Sequence, residues 1–562
     1  MSFGLSHLSF MALAPAEQLG QMSTVTILVG PNNSGKSLAL REIEAWCGGD
    51  DNPRLVVGDL DATWPSAESE IRDLIHPFET SPQPGQSPGQ ISIAPFGPSG
   101  DKRRTLDPSE HWILLQGGST IHLRLSLLSV FTVRLDGRSR FELVDPKPIQ
   151  DLQDPPQHHL AALYLDDDMR EAVRSKVAAA FPGNYLVIDA TSMTSFRIRM
   201  SDRPPADPSE EQGWNARART FHERALPIEQ LSDGVSSYTG LIAAAISLPF
   251  TALLIDEPEA FLHPPLARRL GAELARTARE KGTRLVAATH SSDFLLGCLE
   301  ESPTTVVRLS YRDKIPTAHA ITGEQLNEIS RDPLLRSAGA LRALFASSCI
   351  VCEADSDRAF NEEVNRRLAA TDERQGAQDC VFLNAQNWQT IPRLAGPLRA
   401  VGVPTAVIVD LDALAEASAW AEIVQIAKLT EETRDRVLLA RSAAQTAIEA
   451  CGRVTTDGPL RAKLTGLDAL DHQQRPPVEA ALRELAEIGI FVVPAGELEN
   501  WLPDLGCTNK KTWVSDMLVR MGAAGGSVYV EPRGGDVWDF VESIAAWLEN
   551  PGRKGMPRPE AG

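Results

Sequence analysis

One short segment constrains this chain more than any other. Thr24 to Val29 (TVTILV) is a continuous run of β-branched and aliphatic residues that meets Gly30, and Ser37 to Trp46 (SLALREIEAW) then has helical spacing. Between them stands GPNNSGKS, that is Gly30, Pro31, Asn32, Asn33, Ser34, Gly35, Lys36 and Ser37, with four residues between the two glycines. Strand, glycine-rich turn and helix in that order are the phosphate-loop pattern. The glycines let backbone N–H groups wrap a phosphate at the helix N-terminus, Lys36 reaches the outer phosphates, and the Ser37 hydroxyl can ligate Mg²⁺. The expectation is an α/β nucleotide-binding domain that holds ATP with Mg²⁺.

Such a domain needs a second, carboxylate-bearing strand. Ala252 to Ile255, followed by Asp256, Glu257 and Pro258 (ALLIDEPEAFLHP), supplies it. Asp256 is expected to hold Mg²⁺ through its water shell, and Glu257 to orient or deprotonate the water that attacks the γ-phosphate. Upstream, Leu231-Ser232-Asp233-Gly234 opens a helix with Ser232 at its N-cap. Downstream, Thr283 to Thr289 (TRLVAAT) is another buried strand and ends at His290, whose place after the carboxylate strand suggests a γ-phosphate sensor.

Composition bounds the rest. At 562 residues the chain has room for two to four domains. Asp plus Glu number 75 against 55 Lys plus Arg, a net charge of −20, which excludes a broadly basic, histone-like mode of nucleic-acid binding. Seven cysteines, an odd number in a long chain, do not form a disulfide framework, and MSFGLSHLSF lacks the features of an export signal; both point to the cytoplasm. Leu241 to Ile255 is the longest apolar stretch, but it contains Pro249 and is too short to span a bilayer of about 30 Å. A buried helix followed by a buried strand is expected there.

Taken in order, GPNNSGKS, LSDG, LLIDEPEAFLHP and AATHSSDF resemble the ABC-type ATPases of the RecF, SMC and OLD (overcoming lysogenization defect) group. The resemblance covers the ends of residues 1–337. It implies that Ser232 and Gly234 of one copy complete the phosphate loop of another, and hence a homodimer or higher homo-oligomer with ATP at its interface. Gln116 is the only candidate for the glutamine-loop residue.

The intervening residues, about 80–220, read as an inserted lobe. Ser81 to Gln90 and Gly97 to Asp101 are turn-rich, and the alternation in Ile121 to Leu127 and Phe131 to Leu135 predicts antiparallel strands. Leu160 to Ala180 has helical periodicity and Tyr185 to Met200 reads as paired strands, whereas Ser201 to Gln212 is acidic, Pro-bearing and expected to be mobile. Lys102, Arg103, Arg104, Arg217 and Arg219 are either phosphate contacts or solvated surface.

The second half carries a different chemistry. Ser348 to Cys352 (SCIVC) is a short apolar strand that ends at Glu353 and is followed by an acidic turn and a helix containing Asp357. Pro404 to Val409 (PTAVIV) is another, ending in Asp410-Leu411-Asp412; in an extended segment the two aspartates project to one side. If the strands are parallel neighbours, Glu353, Asp357, Asp410 and Asp412 share one edge, where a hard cation, Mg²⁺ or Mn²⁺, would neutralise them. Cys349-x-x-Cys352 lacks a second pair at zinc spacing and reads as buried strand cysteines.

A strand ending in Glu followed by one ending in Asp-x-Asp resembles the TOPRIM domain of topoisomerases, primases and OLD-family nucleases, over roughly Ser347 to Leu502, with Ala354 where the family has glycine. Gly496-Glu497-Leu498-Glu499 resembles the late Gly-x-x-Glu segment of OLD-like nucleases and implies Glu499, or else Glu497, as a further metal ligand; an acid-decorated helix start is the other reading. Lys510 and Lys511 could hold nucleic-acid phosphates. No tyrosine lies in these motifs, only the remote Tyr529, which argues against topoisomerase chemistry.

The joined expectation is an α/β protein: an ABC/RecF-like P-loop ATPase domain with an inserted lobe (1–337), a TOPRIM, Rossmann-like α/β domain (338–510), and a C-terminal extension with a frayed tail (511–562). The resemblance implies an ATP-gated, metal-dependent endonuclease acting on DNA or RNA, with DNA the first expectation and Glu257, His290, Glu353 and Asp410 catalytic, in anti-phage defence or DNA processing, with a separately encoded helicase or regulator as partner and no membrane association. The alternative is a RecF/SMC-like ATP-dependent clamp whose TOPRIM domain does not cleave.

Overall fold

The computed structural model describes residues 3–11, 22–82, 84–93, 104–301, 303–312, 315–321, 325–326, 332–333, 335, 339–416, 420–455, 458–526 and 528–556. The chain forms two compact units, one chiefly Met1–Val29 and Asn33–Leu309, the other chiefly Glu324–Gly562.

In the first unit a six-stranded sheet comprises β1 (Val25–Val29), β2 (Thr132–Leu135), β3 (Ala252–Asp256), β4 (Arg284–Ala288), β5 (Thr304–Arg312) and β6 (Ile315–Ile321), in the order β6-β5-β1-β4-β3-β2. From β5 to β2 all neighbours are parallel: Leu285 pairs with Val25, Asp256 with Ala288, and Leu135 with Ile255. Strands buried on both faces read as unbroken apolar runs, and all five residues of β1 are buried. Parallel pairing brings the carboxyl ends of β1, β2, β3 and β4 to one edge, where ligands of open α/β sheets bind. Behind this edge stand α1 (Lys36–Cys47), α2 (Asp233–Ser247) and α3 (Pro264–Lys281). Leu241 to Ile255 is the end of α2 followed by β3, and no helix among the described residues is long and apolar enough to cross a membrane.

Several expectations for the inserted lobe are corrected. Ile121 to Leu127 is not a strand: Thr120–Leu123 is α-helical and Arg124–Leu128 forms a π-turn, which buries Leu123, Leu127 and Leu128 together with Arg124. Phe131 to Leu135 does contain a strand, but β2 runs parallel in the central sheet, not antiparallel in a lobe. Tyr185–Asp189 and Ser195–Ser201 do pair antiparallel. Ser201 to Gln212 is anchored: Glu211 is 2% exposed and accepts two hydrogen bonds from Arg174, and Glu210 is paired with Arg203. Glu211 satisfies two buried arginines, Arg170 and Arg174, which composition alone cannot reveal. Gly97 to Asp101, Lys102 and Arg103 lie outside the described residues.

In the second unit β7 (Ser348–Cys352), β8 (Cys380–Asn384), β9 (Thr405–Val409) and β10 (Ile490–Val492) form a parallel sheet in the order β8-β7-β9-β10. Phe360, Val364 and Leu368 of α4 (Asp355–Leu368) join Trp513 and Met517 of α5 (Trp513–Met521) and Trp538 and Val541 of α6 (Asp536–Glu549) in one buried cluster with Ile350, Ile408 and Phe491. The C-terminal segment is therefore part of this core. Its tail is held as far as it is described, since Met556 packs on the cluster and the Gly555 carbonyl accepts a hydrogen bond from buried Arg399. Residues 557–562 lie outside the described residues.

Candidate functional sites at two sheet edges

The phosphate loop leaves β1 with left-handed backbone at Gly30, Asn33 and Gly35 (φ 137°, 60° and 93°), and a Cβ at Gly35 would stand 2.9 Å from Val56 Cγ2. Glycine is thus required there by conformation and by space. Lys36 is buried, its Nζ 3.3 Å from the Ser34 hydroxyl. Burial lowers its pKa to about 8, against the pull of Asp256, Glu257 and Glu259, which favour its charged form. The Ser37 hydroxyl donates to Asp256 Oδ1 at 3.0 Å. A hydroxyl and a carboxylate in contact beside a phosphate cradle form a donor set suited to Mg²⁺.

Glu257 is exposed, carries φ 50°, and is pinned by its N–H to the Ala288 carbonyl at 2.8 Å. A left-handed glutamate is a strained conformation that surrounding structure must impose. His290 Nε2 stands 4.0 Å from Glu257 Oε1, so the two sequence-predicted residues do meet at the edge. Glu259, which sequence reasoning passed over, accepts the His290 backbone N–H at 2.8 Å, and its carboxyl is raised, first by burial. The signal was present as a third acid directly after Asp-Glu-Pro.

Ser232 occupies the N-cap position of α2 but makes no side-chain capping bond, and it is exposed. Gly234 is tight: a Cβ there would lie 2.8 Å from the Phe261 carbonyl oxygen. Gln116 ends a separate helix, Pro108–Gln116. By sheet position, the residue following the strand beside β3 is Asp136, whose carboxylate is spent on its own turn through Arg138, Ser139 and Arg134.

At the second edge Glu353 follows β7 and Asp410 follows β9, its parallel neighbour. Burial, then Asp412 and Asp357, pushes the Glu353 carboxyl up to about 7, and its Oε2 is buried without a hydrogen-bond partner. Burial, then Asp357, Glu353 and Asp412, pushes Asp410 up to about 8. Asp357 is raised to about 6 by burial, with Glu499 adding repulsion, while it caps α4 through the Ala354 N–H at 3.1 Å. An orphaned buried oxygen among mutually repelling carboxyls is an environment a divalent cation would relieve.

Two details differ from the sequence reading. Asp410 and Asp412 are not on an extended segment, because Leu411–Ala415 is a 3-10 turn, and Asp412 is held by Lys463 Nζ. Lys463 lies on a separate short helix, with no motif to announce it. No group of three or more His, Cys, Asp or Glu side chains among the described residues is close enough to grip a metal as it stands. Glu497 is paired with Lys510 at 2.8 Å, whereas Glu499 stands close enough to Asp357 to raise it. Cys349 and Cys352 are buried and free.

Of the basic surface residues, Arg104 is turned to the Leu125 carbonyl and Ser129, Arg217 to Asp207 and Glu210, and Arg219 to the Trp214 carbonyl.

Two family models match the chain. Residues 121–297 match "AAA domain, putative AbiEii toxin, Type IV TA system", and residues 344–412 match "Overcoming lysogenization defect protein-like, TOPRIM domain". No curated protein matches. Similar solved structures include an SMC head bound to the C-terminal winged-helix domain of ScpA (13% identity, 57% of this chain, 99% of that one, TM-score 0.33). Others are the SMC head domain of Thermotoga maritima (15%, 57%, 98%, 0.28) and an Smc head with extended coiled coil, bound to a ScpA domain, from Pyrococcus furiosus (12%, 59%, 98%, 0.32).

Proposed function

We propose, for a chain that belongs to the OLD-type fusions of an AAA ATPase domain with a TOPRIM domain, that it is a metal-dependent endonuclease gated by ATP. The observation that carries the reading is the pairing of Glu353 and Asp410 at adjacent parallel strand ends, with a buried, unpartnered Glu353 oxygen between repelling carboxyls.

At the ATPase edge the phosphate-loop backbone from Gly30 to Ser37 and the Lys36 ammonium bind the triphosphate, and Ser37 with Asp256 holds Mg²⁺. Glu257 orients the attacking water, and His290 reads the γ-phosphate. Ser232 and Gly234 act on the nucleotide of a second copy, so the working form is a homodimer or a higher homo-oligomer. At the TOPRIM edge Glu353, Asp357, Asp410, Asp412 and Glu499 would hold Mg²⁺ or Mn²⁺. The metal, when bound, supplies water activation and stabilisation of the leaving oxygen of a phosphodiester. Lys463 keeps Asp412 oriented, and Lys510 places a second ammonium at the same rim. The substrate is DNA in preference to RNA, the location cytoplasmic and the setting anti-phage defence or DNA processing, with a separately encoded helicase or regulator as partner.

The lack of a preformed three-ligand group among the described residues, and the capture of Asp412 by Lys463, favour a second reading: an ATP-dependent clamp of RecF/SMC type that does not cut. Incubating the purified protein with supercoiled plasmid, linear DNA and total tRNA, with and without Mg²⁺ or Mn²⁺ and ATP, separates the two. Metal-dependent nicking supports the nuclease; intact substrates with active ATP turnover support the clamp.

A further inference from the structure

Arg140 is a charged side chain that the ATPase reading does not use. It lies five residues beyond β2, on a short helix Ser139–Glu142, and is 1% exposed. Its Nη2 donates to the backbone carbonyl of Asp256 at 2.6 Å and its Nε to the Asp136 carbonyl at 3.1 Å. Its Nη1 is buried with no hydrogen-bond partner. Burying a guanidinium with an unmet donor costs stability. The acids around it are those of the ATPase edge: Glu259, Glu257 and Asp256 all favour its charged form, against the burial that lowers its pKa.

The next residue extends the connection. The ring of Phe141 meets that of Phe261 edge-on, with centroids 5.3 Å apart. Phe261 is 56% exposed and carries φ 69°, a conformation a bulky residue rarely adopts. Its carbonyl lies where any side chain at position 234 would have to go, so Gly234 packs directly on it. Gly240, farther along α2, is likewise packed against the Arg140 carbonyl: a Cβ there would stand 3.1 Å away. Within one chain, Gly234, Phe261, Phe141, Arg140 and Asp256 therefore form a continuous packed path from the Ser232–Gly234 turn, here called the signature turn, to the carboxylate strand.

We propose that Arg140 is a positioning residue that fixes the backbone at Asp256 and Glu257, and that through Phe141 and Phe261 it reports the state of the Ser232–Gly234 turn to those carboxylates. Glu257 is held in a left-handed conformation at the end of β3, and a small rotation there would move its carboxylate off the water. Engagement of the signature turn shifts the Phe261 carbonyl, Phe261 shifts Phe141, and Arg140 transmits the movement to the strand end. The inference rests on reading Gly30–Ser37 and Asp256–Glu257 as the ATP site.

The test compares Arg140→Lys, Arg140→Met and Phe141→Leu with wild type in steady-state ATP hydrolysis, nucleotide titration and thermal melting, with Lys36→Ala as the control for the site. Phe141→Leu leaves the buried guanidinium in place and keeps the test alive should Arg140→Met not fold. The expected result is a fall in kcat on the order of 10- to 100-fold for Arg140→Met and Phe141→Leu, as for small misplacements of a reacting group. KM and ATP affinity should stay within about threefold of wild type, and Arg140→Lys should recover part of the loss. Wild-type kcat in Phe141→Leu, or in a folded Arg140→Met, would overturn the proposal, as would a loss of kcat that merely follows lost ATP affinity. If wild type turns over no ATP, or Lys36→Ala binds and hydrolyses it normally, the ATP-site reading itself fails and the proposal falls with it.

Discussion

The Ser37 hydroxyl donates a hydrogen bond to Asp256 Oδ1 at 3.0 Å across 219 residues of sequence. That contact joins the first turn of α1, which the phosphate loop connects to β1, to the end of β3, with β4 between the two strands, and makes one site of two motifs. It also fixes what each nearby residue should do when removed.

Glu257→Gln keeps the backbone and volume of the site but removes the carboxylate proposed to act on the attacking water. ATP affinity should stay near wild type while kcat falls on the order of 100-fold or more. Lys36→Ala should do the reverse, weakening ATP binding roughly 10- to 100-fold through the loss of a charged hydrogen bond. Titration with a fluorescent ATP analogue beside a phosphate-release assay separates the two, and normal turnover by Glu257→Gln would remove that residue from the mechanism.

Ser232 is exposed at the start of α2 and makes no capping bond within its own chain. Ser232→Arg should therefore leave folding and ATP binding to the single chain intact while abolishing ATP-dependent association, measured by light scattering on a sizing column. Undiminished association would show that the signature turn does not face a second copy.

Asp189 tests the inserted lobe. Burial would raise its carboxyl, but the Thr191 hydroxyl and N–H and the Arg199 guanidinium outweigh burial and hold it below the ordinary value of 3.8. A depressed folded pKa contributes stability above the unfolded value and loses it as pH falls through the folded one. Asp189→Asn should lower stability by on the order of 3 kcal/mol at neutral pH, as for a broken buried ion pair. The gap from wild type should close as pH drops below about 4; a gap that does not depend on pH would contradict the assignment.

The parts of the fold legible in the sequence were those where burial on both faces forces an unbroken apolar run to stop at a charged residue. Ile255 before Asp256, Cys352 before Glu353 and Val409 before Asp410 all have this form, Val29 stops at the glycine of the phosphate loop instead, and sheet pairing gathers the four ends at two edges. Local alternation was a poorer guide. Ile121 to Leu127 alternates like a strand, yet a π-turn buries Leu123, Leu127 and Leu128 on one side, a spacing no strand template contains. Asp412 was placed by assuming extended backbone, and the 3-10 turn after Asp410 moved it to Lys463. Lys463 and Arg140 carry no local signal, because Asp412 and the Asp256 carbonyl lie far from them in sequence and are reached only through the tertiary fold.

The most direct test of the central claim is cleavage of supercoiled plasmid by wild type and Asp410→Ala, each with Mg²⁺ or Mn²⁺ and ATP, with ATP hydrolysis followed in the same tubes. The account predicts that Asp410→Ala loses cutting entirely while turning over ATP at the wild-type rate. Equal cutting by both proteins, or a wild type that hydrolyses ATP and never cuts, would contradict it.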